Sequence, residues 1–397
     1  MRYIDQIDLK DKRVFIRCDF NVPMDKQGNI TDDSRIRAHL PTIDYAIKVG
    51  SKIIVASHLG RPKGKKVEEY SLKPTAQALS GLLGREVIFV EDCIGDEVEK
   101  KVSDMKVGDI VLLENLRFYP GEEKNDAEFA AKLARLCDVY IDDAFAVSHR
   151  KAASNTAITD FVKVCAAGFL LKNEIEYFNK AMKDPERPFV AIIGGAKVSD
   201  KIGVLENLIE KVDILIVGGG MAFTFIRAMG FGTGSSLCET EMLDTAKNIM
   251  TKAAAKKVKL CLPLDCVVAE KAATDTEIKV CKISEIPNNW IGLDIGPQTI
   301  SSFADALKDV KTVIWNGPMG MFELEPFSRG TFSIAASVAA SGALSIIGGG
   351  DTGLAVERAG VSEKISYIST GGGAFLELLE GKTMPAIEAL EKNGGNT

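Results

Sequence analysis

Short runs rich in valine and isoleucine alternate with longer stretches of helical periodicity along nearly the whole chain, and this alternation constrains the fold most. Strand candidates in the first half are Val14–Arg17, Lys52–Ala56, Val87–Val90, Ile110–Leu113 and Val139–Asp142. In the second half they are Phe189–Ile193, Ile214–Val217, Leu260–Leu262, Thr312–Trp315, Leu344–Ile347 and Ile365–Ile368. Helical patterns such as Arg35–Val49, Pro74–Leu83, Ala127–Cys137 and Thr240–Lys257 lie between them. Near-continuous apolar strands separated by helices require parallel sheets covered on both faces. A chain of 397 residues is long enough for two such cores. Apolar positions at helical spacing run from Gly168 to Met182, and Asp184-Pro-Glu-Arg-Pro188 ends the pattern. The expected fold class is therefore α/β: two doubly wound, Rossmann-like parallel-sheet domains, 1–170 and 188–383, joined by a helix and hinge over 171–187.

Ligands of open parallel sheets sit beyond the carboxyl ends of the strands, so the loops that follow the strands are where chemistry is expected. In the first half they carry Cys18-Asp19-Phe20-Asn21, Ser57-His58-Leu59-Gly60-Arg61, Glu114-Asn115-Leu116-Arg117 and Ser148-His149-Arg150. Arginine grips phosphate and carboxylate with paired donors, so convergence of these loops would make a pocket for a small polyanion. Ten of the fourteen arginines precede position 186. Arg35 follows Thr31-Asp-Asp-Ser34, which reads as an N-cap cluster; a cation in the first turn of a helix opposes its dipole, which suggests another task such as an anion held over the helix start. His58 and His149 fit donors to the same anion better than a general base or a metal ligand.

The second-half loops carry glycine, lysine and single acids. Gly194-Gly-Ala-Lys197-Val-Ser199-Asp200-Lys201 follows one strand, with Ser199 or Asp200 expected to cap the next helix and two lysines placed to reach one point. Val217-Gly218-Gly219-Gly220, Trp315-Asn316-Gly317-Pro318 with Glu323 beyond, and Ser369-Thr-Gly-Gly372-Gly373 follow others. One glycine-rich turn is ordinarily only a turn; four after strands of one domain form a phosphate-binding pattern. Gly348-Gly349-Gly350-Asp351-Thr352 adds a carboxylate inside an anion-binding turn, which makes sense when a divalent cation lies between acid and phosphate. The same loop formally fits the dinucleotide fingerprint, yet the strand after it ends in Ser369-Thr370 rather than a ribose-binding acid. Gly381-Lys382-Thr383 lacks the first glycine of a Walker A motif, because position 376 is leucine.

Bulk properties narrow the partners. A net charge of −6 argues against general binding to nucleic acid or acidic membranes. No apolar run reaches the roughly 18 residues that would span a bilayer, and the amino terminus has no signal-peptide pattern. The eight cysteines form no Cys-x-x-Cys pair and sit mostly in apolar runs. They read as reduced thiols of a cytoplasmic protein; a zinc site is not expected, since the three histidines lie far from the Cys-rich segment.

Arg17-Cys-Asp-Phe-Asn-Val-Pro23, Ser57-His-Leu-Gly-Arg-Pro62, Glu114-Asn-Leu-Arg-Phe118, Gly194-Gly-Ala-Lys-Val-Ser-Asp-Lys201, Trp315-Asn-Gly-Pro-Met-Gly320, Gly348-Gly-Gly-Asp-Thr352 and Ser369-Thr-Gly-Gly-Gly373 closely resemble the phosphoglycerate kinase family, in order over nearly the whole chain. The family usually has valine where Cys18 stands. The resemblance implies reversible transfer between 1,3-bisphosphoglycerate with ADP and 3-phosphoglycerate with ATP, in a glycolytic, cytoplasmic monomer whose partners are these small molecules. It implies that Asp19, Phe20, Asn21, Arg35, His58, Leu59, Gly60, Arg61, Arg117 and Arg150 hold the phosphoglycerate. Lys201, Asn316, Glu323, Gly349, Gly350, Asp351 and Thr352 would hold the nucleotide, with Asp351 on Mg2+ and Glu323 on the ribose, and Gly218, Gly219 and Gly292 would line the adenine site. A tail over 384–397 is expected to pack on the first domain. Arg35, Lys197, Lys201 and the N–H groups near Gly350 and Gly372 would screen the phosphoryl group in flight, after hinge closure. An NAD-dependent dehydrogenase is the rival enzyme, weakened by the missing ribose acid. A non-catalytic nucleotide or sugar-phosphate binder would explain the loops but not cations split across two domains.

Overall fold

The structure is a computed structural model that describes residues 1–394. The chain forms two compact units, one of Met1–Ile175 together with the segment from Thr383, the other of Glu176–Lys382. The division falls inside the helix Phe169–Met182, upstream of the 184–188 segment where the sequence pattern breaks.

Unit 1 is built on β1 (Arg13–Arg17), β2 (Lys52–Ala56), β3 (Ile88–Val90), β4 (Ile110–Leu113), β5 (Val139–Asp142) and β6 (Cys165–Ala167), in the order β3-β4-β2-β1-β5-β6. Every neighbouring pair is parallel. The strands are buried almost end to end because helices cover both faces; Val14, Ile16, Ile53, Val55, Ile110 and Leu112 belong to one core. The chain leaves β1 towards β2 and leaves β5 towards β6, so the loops after these adjacent strands diverge and open a crevice at their carboxyl ends.

Unit 2 repeats the plan with β7 (Phe189–Ile193), β8 (Ile214–Val217), β9 (Lys259–Cys261), β13 (Thr312–Asn316), β14 (Leu344–Gly348) and β15 (Tyr367–Ile368), ordered β15-β14-β13-β7-β8-β9 and parallel throughout. Here the loops after β7 and β13 diverge. A second sheet of β10 (Asp265–Ala269), β11 (Ile278–Lys282) and β12 (Ile291–Ile295) is antiparallel and packs a small core around Phe223, Ile226, Val268 and Trp290. The α/β class with two doubly wound parallel sheets is as expected; the antiparallel sheet and β6 are additions.

Local differences have local causes. The expected strand Ile365–Ile368 begins only at Tyr367, because Ser362–Lys364 is a 3-10 turn. The helix expected over Ala127–Cys137 stops at Ala134, and Thr240–Lys257 divides into a 3-10 turn, Thr240–Met242, and a helix, Leu243–Ala255. Neither Ser199 nor Asp200 caps the helix Ile202–Ile209, whose cap position is Lys201; Ser199 is drawn instead to the Glu239 carboxylate. Asp33 of the expected N-cap cluster takes the cap position of the helix Ser34–Lys48 without a side-chain cap bond, and the Ser34 N–H is taken by Asp32 Oδ1 at 2.8 Å. The helix Pro385–Gly394 belongs to unit 1, where its Ala386 and Leu390 and the preceding Met384 are buried. Ala386 N donates to Ser148 O at 3.2 Å, and Asn393 Nδ2 to Thr159 O at 2.7 Å. The rest of the expected tail, 395–397, lies outside the described residues. Among the described residues no helix is long and apolar enough to cross a membrane.

Candidate functional site

In unit 1 the crevice at β1 and β5 holds a connected polar cluster. The Asp19 carboxylate pairs with Arg35 Nη1 through Oδ2 and lies 3.7 Å from His58 Nδ1 through Oδ1. Asn21 accepts the Gly60 N–H at 2.9 Å, and Arg117 Nη1 donates to Gly60 O at 2.8 Å. Phe20 and Leu59 serve through their main chains: Phe20 N donates to Ser57 Oγ at 2.8 Å, and Leu59 O accepts from Asn115 Nδ2 at 2.7 Å. The sequence-named Asp19, Asn21, Arg35, His58, Gly60 and Arg117 are therefore brought together. Arg61 and Arg150 are exposed on the flanking loops, and among the described residues no hydrogen bond joins them to the cluster; Arg150 Nε meets His149 Nε2 at 3.0 Å.

Several residues that the sequence did not single out hold this cluster. Arg17, 2% exposed, donates through Nε to Ser154 Oγ at 2.8 Å and lies 3.9 Å from Glu122 Oε1. Glu122 in turn accepts from Ser154 N at 3.0 Å and Ser154 Oγ at 2.6 Å. His39 Nε2 accepts the Asp19 N–H at 2.9 Å. The available signals were a charge ending an otherwise apolar strand and a histidine one turn beyond Arg35; neither names a partner.

Burial alone would raise Asp19, but His58 in its protonated form, then Arg35 and Arg17, hold it below the usual carboxylate value, and at pH 7 only the two arginines still carry that charge. Burial drives His58 well below its ordinary value against the pull of Asp19, so the ring is neutral at pH 7 and offers one N–H. Asp142, paired in register with Arg17, is different: burial pushes it up to about 6, and its Oδ2 has no hydrogen-bond partner among the described residues. The folded state thus holds this proton more tightly than the unfolded chain. The resulting stabilisation is complete below about pH 4 and is lost as pH rises through about 6. Asp142→Asn should flatten this trend, so the melting temperature of the variant should gain on wild type between those pH values. A constant difference between the two melting curves across that range would refute it.

In unit 2 the loops after β7, β8, β13 and β14 come together. Gly194 N donates to Asn316 O at 2.9 Å, and Gly219 N to Met319 O at 3.1 Å. Gly219 has φ +67°, and a Cβ there would fall 2.6 Å from Gly195 O, so glycine alone permits the approach. A Cβ on Gly292 would lie 2.0 Å from the Phe223 ring, and one on Gly218 would lie 2.4 Å from Met319 Sδ. The result is a mostly apolar cavity of about 420 Å³ bordered by Gly219, Phe223, Gly292, Met319, Glu323 and Asp351. At its side the Lys201 ammonium donates to Asn316 Oδ1, Asn316 Nδ2 donates to Gly348 O at 2.7 Å, and Gly317 N donates to Thr352 Oγ1 at 2.8 Å. Burial lowers Lys201, opposed by Asp200, Glu380 and Asp351. Gly349, at φ +95°, caps the helix Gly350–Arg358 and leaves Asp351 exposed in its first turn. Lys197 is exposed, and Gly372 precedes the short helix Gly373–Leu379. Of the sequence-named residues, Gly219, Gly292, Glu323 and Asp351 line the cavity, whereas Lys197, Lys201, Gly218, Asn316, Gly349, Gly350, Thr352 and Gly372 do not.

Among the described residues no three His, Cys, Asp or Glu side chains converge as a metal group. A lone exposed carboxylate beside a phosphate-binding turn does fit a Mg2+ that arrives with phosphates and needs few protein oxygens.

Donors for an anion at one switch point, and at the other a cavity of purine-nucleotide size bordered by Glu323 and Asp351, with Lys201 bonded to Asn316 at the end of β13, are the equipment of a small-molecule kinase. A family model for phosphoglycerate kinase matches residues 4–382, and the chain belongs to that family. It is 60% identical over 395 residues to phosphoglycerate kinases of Geotalea uraniireducens and Geobacter metallireducens, covering 99% of this chain and 99% of each relative. The solved phosphoglycerate kinase of Coxiella burnetii superposes with a TM-score of 0.91 at 44% identity, covering 98% of both chains. That of Pyrococcus horikoshii superposes with a TM-score of 0.84 at 31% identity over all of both.

Proposed function

We propose that the chain catalyses reversible Mg-dependent phosphoryl transfer between 1,3-bisphosphoglycerate with ADP and 3-phosphoglycerate with ATP. The observation that carries this is the connected Asp19–Asn21–Arg35–His58–Arg117 cluster, in a chain of this family. Unit 1 is the phosphoglycerate side and unit 2 the nucleotide side. Arg35, Arg61, Arg117 and Arg150 take the acceptor's anionic groups, with neutral His58 and Asn21 as hydrogen-bonding partners and Asp19 keeping Arg35 in place. In unit 2 the base lies against Gly219 and Gly292, Glu323 meets the ribose, and Lys201, Asn316, Thr352 and the N–H groups at Gly349 and Gly350 hold phosphate oxygens.

The acceptor carboxylate of 3-phosphoglycerate is ionised at neutral pH, so no protein base is required. Arg35, Lys197, Lys201 and the N–H groups near Gly350 and Gly372 stabilise charge on the phosphoryl group in flight. Asp351 would hold Mg2+, which would supply positive charge to offset the negative charge of the phosphates. Ligands carried on separate units must meet, so each cycle includes closure of the units, which also excludes water from the reaction. The enzyme works as a cytoplasmic monomer; six of its eight free cysteines are buried, as suits a reducing compartment.

A coupled assay with 3-phosphoglycerate, ATP and Mg2+ tests the activity: ADP should form only when the acceptor is present. Asp351→Ala should weaken Mg-ADP binding by about tenfold or more in calorimetry. Unchanged affinity would remove Asp351 from the metal site.

A further inference from the structure

The helix Ser34–Lys48 presents Arg35, His39 and Thr42 to unit 1, spaced i, i+4 and i+7 and therefore on one face. Arg35 takes the Asp19 carboxylate, His39 takes the Asp19 amide, and Thr42 Oγ1 accepts the N–H of Phe169, the first residue of the helix Phe169–Met182, at 2.9 Å. Asp143 completes the arrangement. Its Oδ2 is 3.0 Å from His39 Nδ1, while its Oδ1 accepts Leu170 N at 2.9 Å and Leu171 N at 3.2 Å. His39 is 1% exposed and Asp143 fully buried. Phe20 packs edge-on against the imidazole, with ring centroids 5.5 Å apart. Gly168 makes the approach possible, because a Cβ there would lie 2.2 Å from Asp143 Oδ1.

A main-chain N–H can only donate, so His39 Nε2 is an acceptor and the ring proton sits on Nδ1, directed at Asp143. We propose that His39 and Asp143 are positioning residues for the phosphoglycerate loop. Asp143 holds His39 in the tautomer that anchors Asp19 and Phe20, and the same carboxylate binds the first turn of the helix that leads out of unit 1. This assignment rests on the proposed role of residues 18–21. Neither side chain touches the substrate; both act through the main chain at Asp19.

Asp143→Asn discriminates sharply. With its oxygen on Leu170 and Leu171, the amide NH2 faces His39 Nδ1. The ring must then move its proton to Nε2, where it opposes the Asp19 N–H. With the amide turned round, NH2 faces the two helix N–H groups instead. Either orientation leaves donor against donor. The KM for 3-phosphoglycerate should rise about tenfold or more, the cost of one buried donor left without an acceptor. The KM for ATP should stay within about threefold, because the affected loop lies wholly in unit 1, whereas kcat should fall as well to the extent that Asp19 no longer keeps Arg35 in place. With only three histidines in the chain, 15N NMR of the imidazoles should show the His39 proton on Nδ1 in wild type; in the folded variant it should move to Nε2 when the amide NH2 faces the ring and stay on Nδ1 when the NH2 faces the helix.

His39→Ala should raise the same KM, and adding Asp143→Asn to it should change that KM little further. If Asp143→Asn alone does not fold, His39→Ala and His39→Gln carry the test, with Gln recovering part of the affinity by accepting from Asp19 N. An unchanged 3-phosphoglycerate KM in folded variants, or a wild-type His39 protonated on Nε2, overturns the proposal. Wild-type protein without acceptor-dependent ADP formation, or an Asp19→Ala variant with wild-type KM, would instead overturn the functional assignment beneath it.

Discussion

Replacing Arg35 with alanine is expected to lower kcat by on the order of a thousandfold while the KM for ATP stays within about twofold. The guanidinium is about one-third exposed and held at one side by Asp19, itself 6% exposed at its side chain. Among the described residues its remaining donors have no hydrogen-bond partner, so they can meet an incoming anion. A group that only gripped the ground state would change KM; a cation aligned with charge developing on the transferred phosphoryl group changes kcat. Arg35→Lys should fall between the two, since it keeps the charge and loses the planar fork. Removing Arg35 also takes from Asp19 one of the cations that keep it ionised, so a modest loss of stability should accompany the kinetic effect. Wild-type turnover with only that loss would reduce Arg35 to a structural ion pair.

The second large effect is on folding. Arg17→Met should destabilise unit 1 by ~3–5 kcal/mol, the penalty for leaving a buried ion without its partner. Glu122 is 1% exposed, and its carboxylate is met by Ser154 N, Ser154 Oγ and, at 3.9 Å, Arg17. Methionine fills much of the volume but leaves both the Glu122 charge and the Ser154 oxygen short of a donor. Adding Glu122→Gln should recover most of the loss, because two neutral side chains carry no uncompensated charge. Urea unfolding followed by circular dichroism measures both variants. Equal destabilisation in the single and double variants would show that the loss comes from packing rather than from the stranded carboxylate.

The parallel strands were legible because burial on both faces leaves a plain sequence mark. Val14–Arg17, Lys52–Ala56 and Ile214–Val217 are uninterrupted runs ending near the turn residues that follow them. The antiparallel sheet left no such mark. β11, Ile278-Lys-Val-Cys-Lys282, is exposed along nearly its whole length, and Gly292 interrupts β12 because Phe223 occupies the space of a side chain there. β6 is Cys-Ala-Ala and lacks the branched residues that announce a strand. The same divide runs through the candidate site. Glycines and arginines after strands could be read from order and spacing. The partners of Arg17 and His39 could not, since Ser154 and Asp143 lie 137 and 104 residues away in the chain. Only the sheet order, which sets β5 beside β1, brings them to the same crevice.

The helix Pro385–Gly394 closes over β6 and the turn Ala157–Asp160 although some two hundred residues of unit 2 intervene in the chain. During synthesis, unit 1 therefore emerges early and incomplete, with the apolar seat for Met384, Ala386 and Leu390 uncovered. Unit 2, being one continuous stretch, has all of its own residues before unit 1 does. The first-made half is the last to be finished, so a nascent chain stalled before residue 384 would present a sticky, unsealed surface to chaperones and proteases.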